Sequence, residues 1–347
     1  MKDFRLSILL TFFCIGIAAW WGQSTGMGAE SAIAIVAILG LMEVSLSFDN
    51  AVVNASILKD MDAKWQQIFL TLGILVAVVG MRLLFPIVIV SVATELDMAS
   101  VWNMALNRPE EYSNHLQAHH VAIGAFGGIF LLMIFFSFLF DEGKELHWLG
   151  QIEEKLSQLG KLDSISIMLA LAVLFAFYQW LPIEASARGS FLIAGVSGII
   201  LFIAVSSLDK LFESEESGDG VTTTVTRNGI AGFLYLEVLD ASFSFDGVIG
   251  AFAITRDIVI IMLGLAIGAM FVRSLTVSLV RKGTLDEYVF LEHGAHYAIG
   301  ALSMIMLAET VQGVHIPEIV TGCIGAGFIL IALLTSIRHN RSSDSDN

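Results

Sequence analysis

The sequence predicts an all-α polytopic membrane protein, with about ten transmembrane helices in a 5+5 inverted-topology repeat and both termini in the cytoplasm. Three observations support this prediction. Hydrophobic residues make up 56% of the 347, and charged residues only 15%, whereas a soluble chain has about 25% charged residues. Apolar runs long enough to cross about 30 Å of hydrocarbon recur along the chain. A short acidic phrase occurs twice inside such runs.

The apolar runs define the predicted spans, of which 165–181 is the weakest because it is short. The ten spans are 4–22, 31–58, 68–94, 120–140, 165–181, 189–207, 229–254, 258–280, 294–312 and 316–337. The first run resembles a signal peptide, but no convincing cleavage site follows it, so we expect a retained first helix. Both cysteines lie in apolar runs, which indicates neither a disulfide framework nor a metal knuckle.

The basic residues predict the orientation of the chain. With the N-terminus inside, thirteen of the eighteen Lys and Arg residues fall in cytoplasmic segments and three in external ones. This bias follows the positive-inside rule and fits a bacterial inner membrane. The net charge of −15 comes largely from acidic loops, and without a basic patch it indicates no nucleic-acid partner.

The span count divides the chain into two halves. Residues 1–181 form the first inverted half and residues 182–337 the second. The second half includes an acidic, flexible cytoplasmic loop at 208–228, which is rich in Glu, Ser, Gly and Thr. Residues 338–347 are expected to form a disordered cytoplasmic tail.

The acidic phrase supplies the candidate binding site. In each copy the second acid follows the first by six residues, with two serines and a phenylalanine at matching places between them. A carboxylate inside the membrane costs about 2.5–3.5 kcal/mol. Two matched pairs of acids therefore predict a polar site near the midplane. The candidate metal ligands are Glu43, Asp49, Asn50, Asp240 and Asp246.

The repeat is larger than the acidic phrase. A Leu-Gly pair precedes Arg82 and another precedes Arg273, each with its glycine nine residues before the arginine. The segment 120–125 (His-Val-Ala-Ile-Gly-Ala) then matches 296–301 (His-Tyr-Ala-Ile-Gly-Ala). These elements fall on spans two to four and seven to nine. An offset of five spans gives the halves opposite orientations, the signature of an inverted repeat.

Helical spacing predicts a broad polar face, because Ser45 lies below Asp49 and Glu43 lies below Asn50. Gly247 can permit either a local break in the second helix or a close approach of its backbone. Oxygen ligands of this kind suit Mg²⁺, Ca²⁺ and Mn²⁺. The supporting and pathway candidates are Ser45, Ser47, Arg82, His120, Ser242, Ser244, Arg273, His296 and Glu309.

Each candidate also has a purely structural interpretation. The acids and the two arginines, which can pair with them in the empty state, can form a buried network that only holds helices together. Small serines pack helix interfaces. A helix-end histidine bonded to a carbonyl group is the simpler interpretation of His120 and His296.

The phrases Ser47-Phe48-Asp49-Asn50 after Glu43 and Ser244-Phe245-Asp246-Gly247 after Asp240 resemble those of the TerC-like integral membrane proteins. That family belongs to the LysE transporter superfamily, and the chain is similar to a bacterial branch of unknown function. The resemblance implies export of a divalent metal, chiefly Mn²⁺, with the paired acids as its site. It also links relatives to tellurite stress and to membrane-protein assembly.

The predicted function is therefore a secondary transporter that exports a divalent cation, with Mn²⁺ favoured and no cofactor. No Walker-type loop is present, so protons are the simplest counter-ion for export against an inside-negative potential. The alternative is a scaffold, an assembly factor or a tellurite-resistance factor without transport. An enzyme is not expected, because an aspartyl-protease dyad of Asp49 and Asp246 would lack the usual glycine motif. The oligomeric state is left open.

Overall fold

The computed structural model describes residues 4–94, 96–162, 164–216 and 229–345, and every regular element within them is a helix. The first half contains α1 (Arg5–Thr25), α2 (Ala29–Leu46), α3 (Phe48–Leu58), α4 (Ala63–Leu75), α5 (Phe85–Thr94), α6 (Met98–Asn107), α7 (Pro109–Ala118), α8 (His120–Leu139), α9 (Gln151–Ser157) and α10 (Ile165–Trp180). A π-helix (Val76–Leu84) joins α4 to α5, and a 3-10 turn (Gln158–Lys161) follows α9. The second half contains α11 (Arg188–Glu216), α12 (Gly229–Ile254), α13 (Ile258–Arg281), α14 (Thr284–Glu287), α15 (Leu291–Glu309) and α16 (Glu318–Ser345).

The chain is a multi-pass membrane protein. Seven described helical segments are long and apolar enough to cross a membrane, or eight if α9, the 3-10 turn and α10 form one bent span. The seven are Arg5–Thr25, Ala29–Leu46, Ala63–Val88, His120–Leu139, Arg188–Ser207, Ile258–Arg281 and Ile319–Arg341. The predicted spans 229–254 and 294–312 form the helices α12 and α15, which are not among the seven. The count of ten and the inverted topology stay predictions.

Three segments differ from the sequence prediction. The span 31–58 is not one helix, because the backbone leaves the helical path at Ser47. Helix α11 continues into the predicted flexible loop as far as Glu216, and residues 217–228 lie outside the described part. Helix α16 continues into the predicted disordered tail, where the side chain of Asn340 donates to the carbonyl of Glu287 at 2.8 Å. That contact anchors the polar end of α16 to the turn before α15.

The helices pack in two groups that meet at the acidic segments. Helix α8 packs against α11 and α15, whereas α13 packs against α2 and α1. Gly268 on α13 lets α13 and α2 pack closely, because a Cβ at this position would collide with the side chain of Glu43 on α2. The acid of the first phrase is therefore held directly against a helix of the second half.

Helix α1 is a packed part of the bundle. Its Ser7 hydroxyl donates to the carbonyl of Met270 at 2.8 Å and lies 2.5 Å from the hydroxyl of Ser274. At the other end of α1, the Trp21 indole donates to Asp257 at 2.8 Å, and Asp257 also caps the first amides of α13. Both ends of α1 are thus fixed to α13, as expected for a helix that is part of the fold.

The segment between α8 and α10 docks onto the second half through a buried acid. Glu153 has no exposed surface, and it accepts hydrogen bonds from the Lys144 ammonium at 2.5 Å and from the Leu149 amide at 2.9 Å. Its carboxylate lies 3.6 Å from the His293 ring on α15. The Trp148 indole donates to the Thr335 hydroxyl on α16 at 3.0 Å. These contacts hold the segment against the ends of α15 and α16.

Candidate functional site

The first acidic phrase is centred on the break between α2 and α3. Ser47 adopts φ −103° and ψ 20°, and its amide still donates to the carbonyl of Glu43. Asp49 is the acidic residue in the first turn of α3. Short polar side chains of this kind compete with helical hydrogen bonds and favour helix ends. The break therefore places the carboxylate of Asp49 at the N-terminus of α3, where the helix dipole stabilises negative charge.

The second copy of the phrase lies on an uninterrupted helix. Helix α12 continues through Gly247 to Ile254, so the local break considered for this glycine does not form. The close approach does occur, because a Cβ on Gly247 would lie 2.5 Å from a carboxylate oxygen of Glu43. The missing side chain of Gly247 makes room for the acid of the other half.

Two buried arginines join the acids into one network. Arg82 forms an ion pair with Glu43, and Arg273 forms one with Glu237 at 3.1 Å. Asp240 lies between them, 4.0 Å from Arg82 and 3.8 Å from Arg273. The side chains of all five residues are at most 6% exposed, so each pairing offsets a substantial cost of burial.

Asn50 links this network to α3. Its amide nitrogen donates to Asp240 at 2.9 Å. The other carboxylate oxygen of Asp240 and the amide oxygen of Asn50 have no hydrogen-bond partner among the described residues, nor does the amide oxygen of Asn54 one turn further along α3. Buried oxygens without a donor are free to bind a cation or a proton.

Asp49 faces a small cavity beside the network. The cavity holds about 20 Å³, which is enough for one water molecule or one small ion. Glu43 and Ser47 line it from the first half, and Thr321 and Gly325 on α16 close it. Helix α16 comes so near that a Cβ on Gly325 would lie 3.5 Å from the Asp49 carboxylate.

Charge does not balance inside this site. Four carboxyl groups and only two guanidinium groups are buried, namely Glu43, Asp49, Glu237 and Asp240 against Arg82 and Arg273. With all six groups ionised, the described side chains carry a formal excess of two negative charges. Uncompensated charge at low dielectric is costly, so this arrangement favours the binding of one divalent cation or of two protons.

Several predicted candidates lie outside the network. Ser45 is exposed and donates to the carbonyl of Leu41, one turn earlier on its own helix. Ser242 donates to a carbonyl of its own helix, as expected for a packing residue. Glu309 accepts from the amide of Ile316 in the loop after α15.

The two histidines bond to backbone carbonyls at helix starts. His120 is exposed and lies 2.9 Å from the carbonyl of Gln117. His296 lies 2.9 Å from the carbonyl of Glu292 and stacks on the ring of Phe138. Both contacts match the simpler interpretation of these residues.

Two members of the predicted site cannot be placed. Asp246 and Ser244 belong to α12, but their side chains lie outside the described part of the structure. Within the described residues, no group of three or more His, Cys, Asp and Glu side chains has the geometry of a metal site. The described members of the predicted ligand set thus do not form such a group, and a ligand set that includes Asp246 stays a prediction.

Sequence reasoning missed three residues of the site. Glu237 precedes Asp240 by three residues, so helical spacing alone places both acids on one face. A count of all acids in the span 229–254 would have found Glu237. Asn54 follows Asn50 by one turn and was detectable in the same way. Thr321 carries no local signal, because only the packing of α16 brings it to the cavity.

The chain matches one family model, which is described as "Protein of unknown function (DUF475)" and covers residues 48–343. The match begins at the first residue of α3 and includes both buried arginines. Comparisons with curated proteins and with solved structures find no match.

Proposed function

We propose that this chain, which belongs to the DUF475 family, is a secondary transporter that exports a divalent cation from bacterial cells across the inner membrane. Mn²⁺ is the favoured ion. The observation that carries the proposal is the formal excess of two buried negative charges. One divalent cation neutralises that excess, and carboxylate, amide and hydroxyl oxygens are ligands that Mn²⁺, Mg²⁺ and Ca²⁺ accept.

In this proposal the cation binds between the two acidic phrases. Glu43 and Asp49 contribute from the first half, and Asp240 and Asp246 from the second. Arg82 holds Glu43 while the cation is away, which lowers the cost of an empty site. When the cation leaves, protons on the carboxyl groups provide the same neutralisation, so proton and metal can alternate.

A scaffold or a metal-stress resistance factor without transport is the second candidate. The observation that favours it is that Glu43, Asp240 and Glu237 all lie within ion-pair distance of an arginine. A network that serves only structure would make the chain unstable when an acid is removed. It would have no effect on cellular metal content at equal protein abundance.

The test is cellular manganese content under manganese load, with the unaltered chain, Asp49→Asn and Asp246→Asn expressed at equal levels. We expect the unaltered chain to lower cellular manganese several-fold and both variants to lose this effect. Glu30→Gln is the matched control, because Glu30 is an exposed acid in the first turn of α2. Manganese content that is the same with and without the chain would refute Mn²⁺ export.

A further inference from the structure

We infer that two repeat-related ion pairs gate the site from opposite faces of the membrane, and that this structure has the external gate closed and the cytoplasmic gate open. The external gate is Glu110 with Arg256, and the cytoplasmic gate is Lys59 with Asp286. The inference rests on the proposed transport function and adds to it the residues that control access.

The sequence repeat extends to both gates. Glu110-Glu111-Tyr112 begins ten residues before His120, and Asp286-Glu287-Tyr288 begins ten residues before His296. The basic partners are related in the same way. Lys59 follows Glu43 by sixteen residues, and Arg256 follows Asp240 by sixteen residues. Each half of the molecule therefore supplies the acid of one gate and the base of the other.

The gates lie at opposite ends of the bundle. Helix α8 begins at His120, just after the helix that carries Glu110, and its last turn is followed by Asp141. Asp141 lines the same cavity as Glu292, and Glu292 lies 4.0 Å from Lys59. A helix of 20 residues rises about 30 Å. That distance is the thickness of the hydrocarbon core.

The external gate is closed by an ion pair above an aromatic seal. A guanidinium nitrogen of Arg256 lies 2.7 Å from the carboxylate of Glu110. Below this pair, Tyr112 has no exposed surface and packs on Phe252 with ring centroids 5.9 Å apart. Phe252 lies on α12 beyond Asp246, so the seal covers the external side of the acidic site.

The cytoplasmic gate is looser than the external gate in its ion pair and around its tyrosine. The Lys59 ammonium is 4.0 Å from Asp286 and equally far from Glu292. Tyr288, the counterpart of Tyr112, is half-buried in a loop and has no ring partner among the described residues. A polar cavity of about 420 Å³ opens here, and Asp60, His296 and Tyr235 are among its lining residues.

This cavity leads toward the acidic site along α3. Ser56 and Ile57 line it, and Asn50 lies six residues before Ser56 on the same helix, which is a rise of about 9 Å. Asn54 lies between them, buried, with an unpartnered amide oxygen within the described structure. A cation can thus approach the site from the cytoplasm along a path of oxygen ligands, as export requires. Its release to the outside requires the cytoplasmic gate to close and the external gate to open.

Thiol labelling of the full-length protein in membrane vesicles tests the gates. In a Cys323→Ser background, Ser56→Cys reports on the cytoplasmic cavity and Ala251→Cys on the buried region below Phe252. With intact gates we expect a membrane-impermeant maleimide to modify Ser56→Cys from the cytoplasmic face and to leave Ala251→Cys unmodified from outside. Added Arg256→Gln should raise external labelling of Ala251→Cys by roughly two- to five-fold, because an exposed ion pair biases populations by that factor.

Two further variants make the result specific. Arg108→Gln removes an exposed ion pair in which the Arg108 guanidinium lies 2.9 Å from Glu111. Glu111 lies on the same short helix as Glu110, and we expect this variant to change neither labelling rate. The exchange Glu110→Arg with Arg256→Glu should restore protection of Ala251→Cys. The inference is overturned if Arg256→Gln leaves external labelling unchanged, if Arg108→Gln raises it equally, or if the exchanged pair fails to restore protection.

The labelling result is independent of the ion that is transported. A shift in accessibility without manganese export would keep the gates and reject only the substrate. Manganese export without a shift in accessibility would keep the proposed function and reject these gates.

Discussion

The two acidic segments have closely related sequences but different backbones. The first is divided at Ser47 into α2 and α3, whereas the second continues as the single helix α12. What the halves share is the pairing of charge, since each buries an arginine against an acid of its own, Arg82 against Glu43 and Arg273 against Glu237. Both segments thus keep a buried arginine paired with an acid, although Glu237 lies outside the repeated phrase and the local backbones differ.

The arginines differ in the same way. Arg82 lies in the π-helix and donates to the carbonyl of Ala77, which belongs to that π-helix. Arg273 lies in the regular helix α13 and donates to the carbonyl of Phe69, from the opposite half, while its guanidinium group covers the Phe69 ring at 4.1 Å. Arg82 thus donates to a carbonyl of its own helix, whereas Arg273 donates to a carbonyl of the other half. π-Helical segments often occur at functional sites, so Arg82 is the better candidate for a residue that exchanges partners.

The largest expected effect breaks the pairing that the halves share. Arg82→Met leaves Glu43 buried without its partner, so we expect a loss of about 3–5 kcal/mol in the free energy of unfolding. Thermal unfolding of the purified protein in detergent measures it. The double variant Glu43→Leu with Arg82→Met should lose much less, because an apolar pair can replace a buried ion pair. Equal losses in the single and double variants would contradict this account of the network.

Much of the network was predictable from the residues. The two acidic phrases and the pairing of the arginines with acids follow from spacing and from the cost of a buried charge. At Gly247 the sequence allowed either a break or a close approach, and the structure shows the close approach. The break at Ser47 did not follow, because the second copy contains the same Ser-Phe-Asp sequence without a break. Tertiary contacts decide between the two backbones, and a sequence read one segment at a time does not contain those contacts.

The next largest effects are expected at Asn50 and Gly247, which occupy the one position at which the two phrases differ in polarity. Asn50→Ala removes the hydrogen bond to Asp240, which we expect to cost about 1.5–3 kcal/mol because the acceptor is charged. Gly247→Ala adds a methyl group against the Glu43 carboxylate, and overpacking of this kind costs about 1–3 kcal/mol. Manganese export should fall in both variants, since each displaces an acid of the site.

Measuring both export and unfolding distinguishes a loss of function at Gly247 from a loss of stability alone. Gly195→Ala serves as the control for Gly247→Ala, because the three atoms nearest to its Cβ would all belong to the side chain of Leu174, which is outside the acidic site. We expect Gly195→Ala to change stability without changing export per folded molecule. If Gly247→Ala exports as well as the unaltered chain, the close approach of Glu43 has no functional role.

The smallest expected effect on export concerns an acid that is buried outside the repeat. Burial alone would raise the pKa of Glu153, but the hydrogen bonds from Lys144 and from the Leu149 amide hold this pKa below its usual range. A lowered pKa in the folded state means that the contact stabilises the protein at neutral pH and is lost as the pH falls through that value. Glu153 has no counterpart in the acidic phrases, so it tests whether burial alone makes an acid functional.

Glu153→Gln keeps the size of the side chain and one acceptor oxygen. We therefore expect a loss of about 1–3 kcal/mol in unfolding free energy at pH 7, a smaller loss at acidic pH, and unchanged manganese export per folded molecule. Thermal unfolding between pH 7 and pH 4 measures the first two. If export falls as far as in Asp49→Asn, the docked segment controls transport. The distinction between the repeated acids and other buried acids would then fail. The pairing of Glu153 with Lys144 at the end of the bundle would matter for export as much as the pairing of Glu43 with Arg82 at its centre.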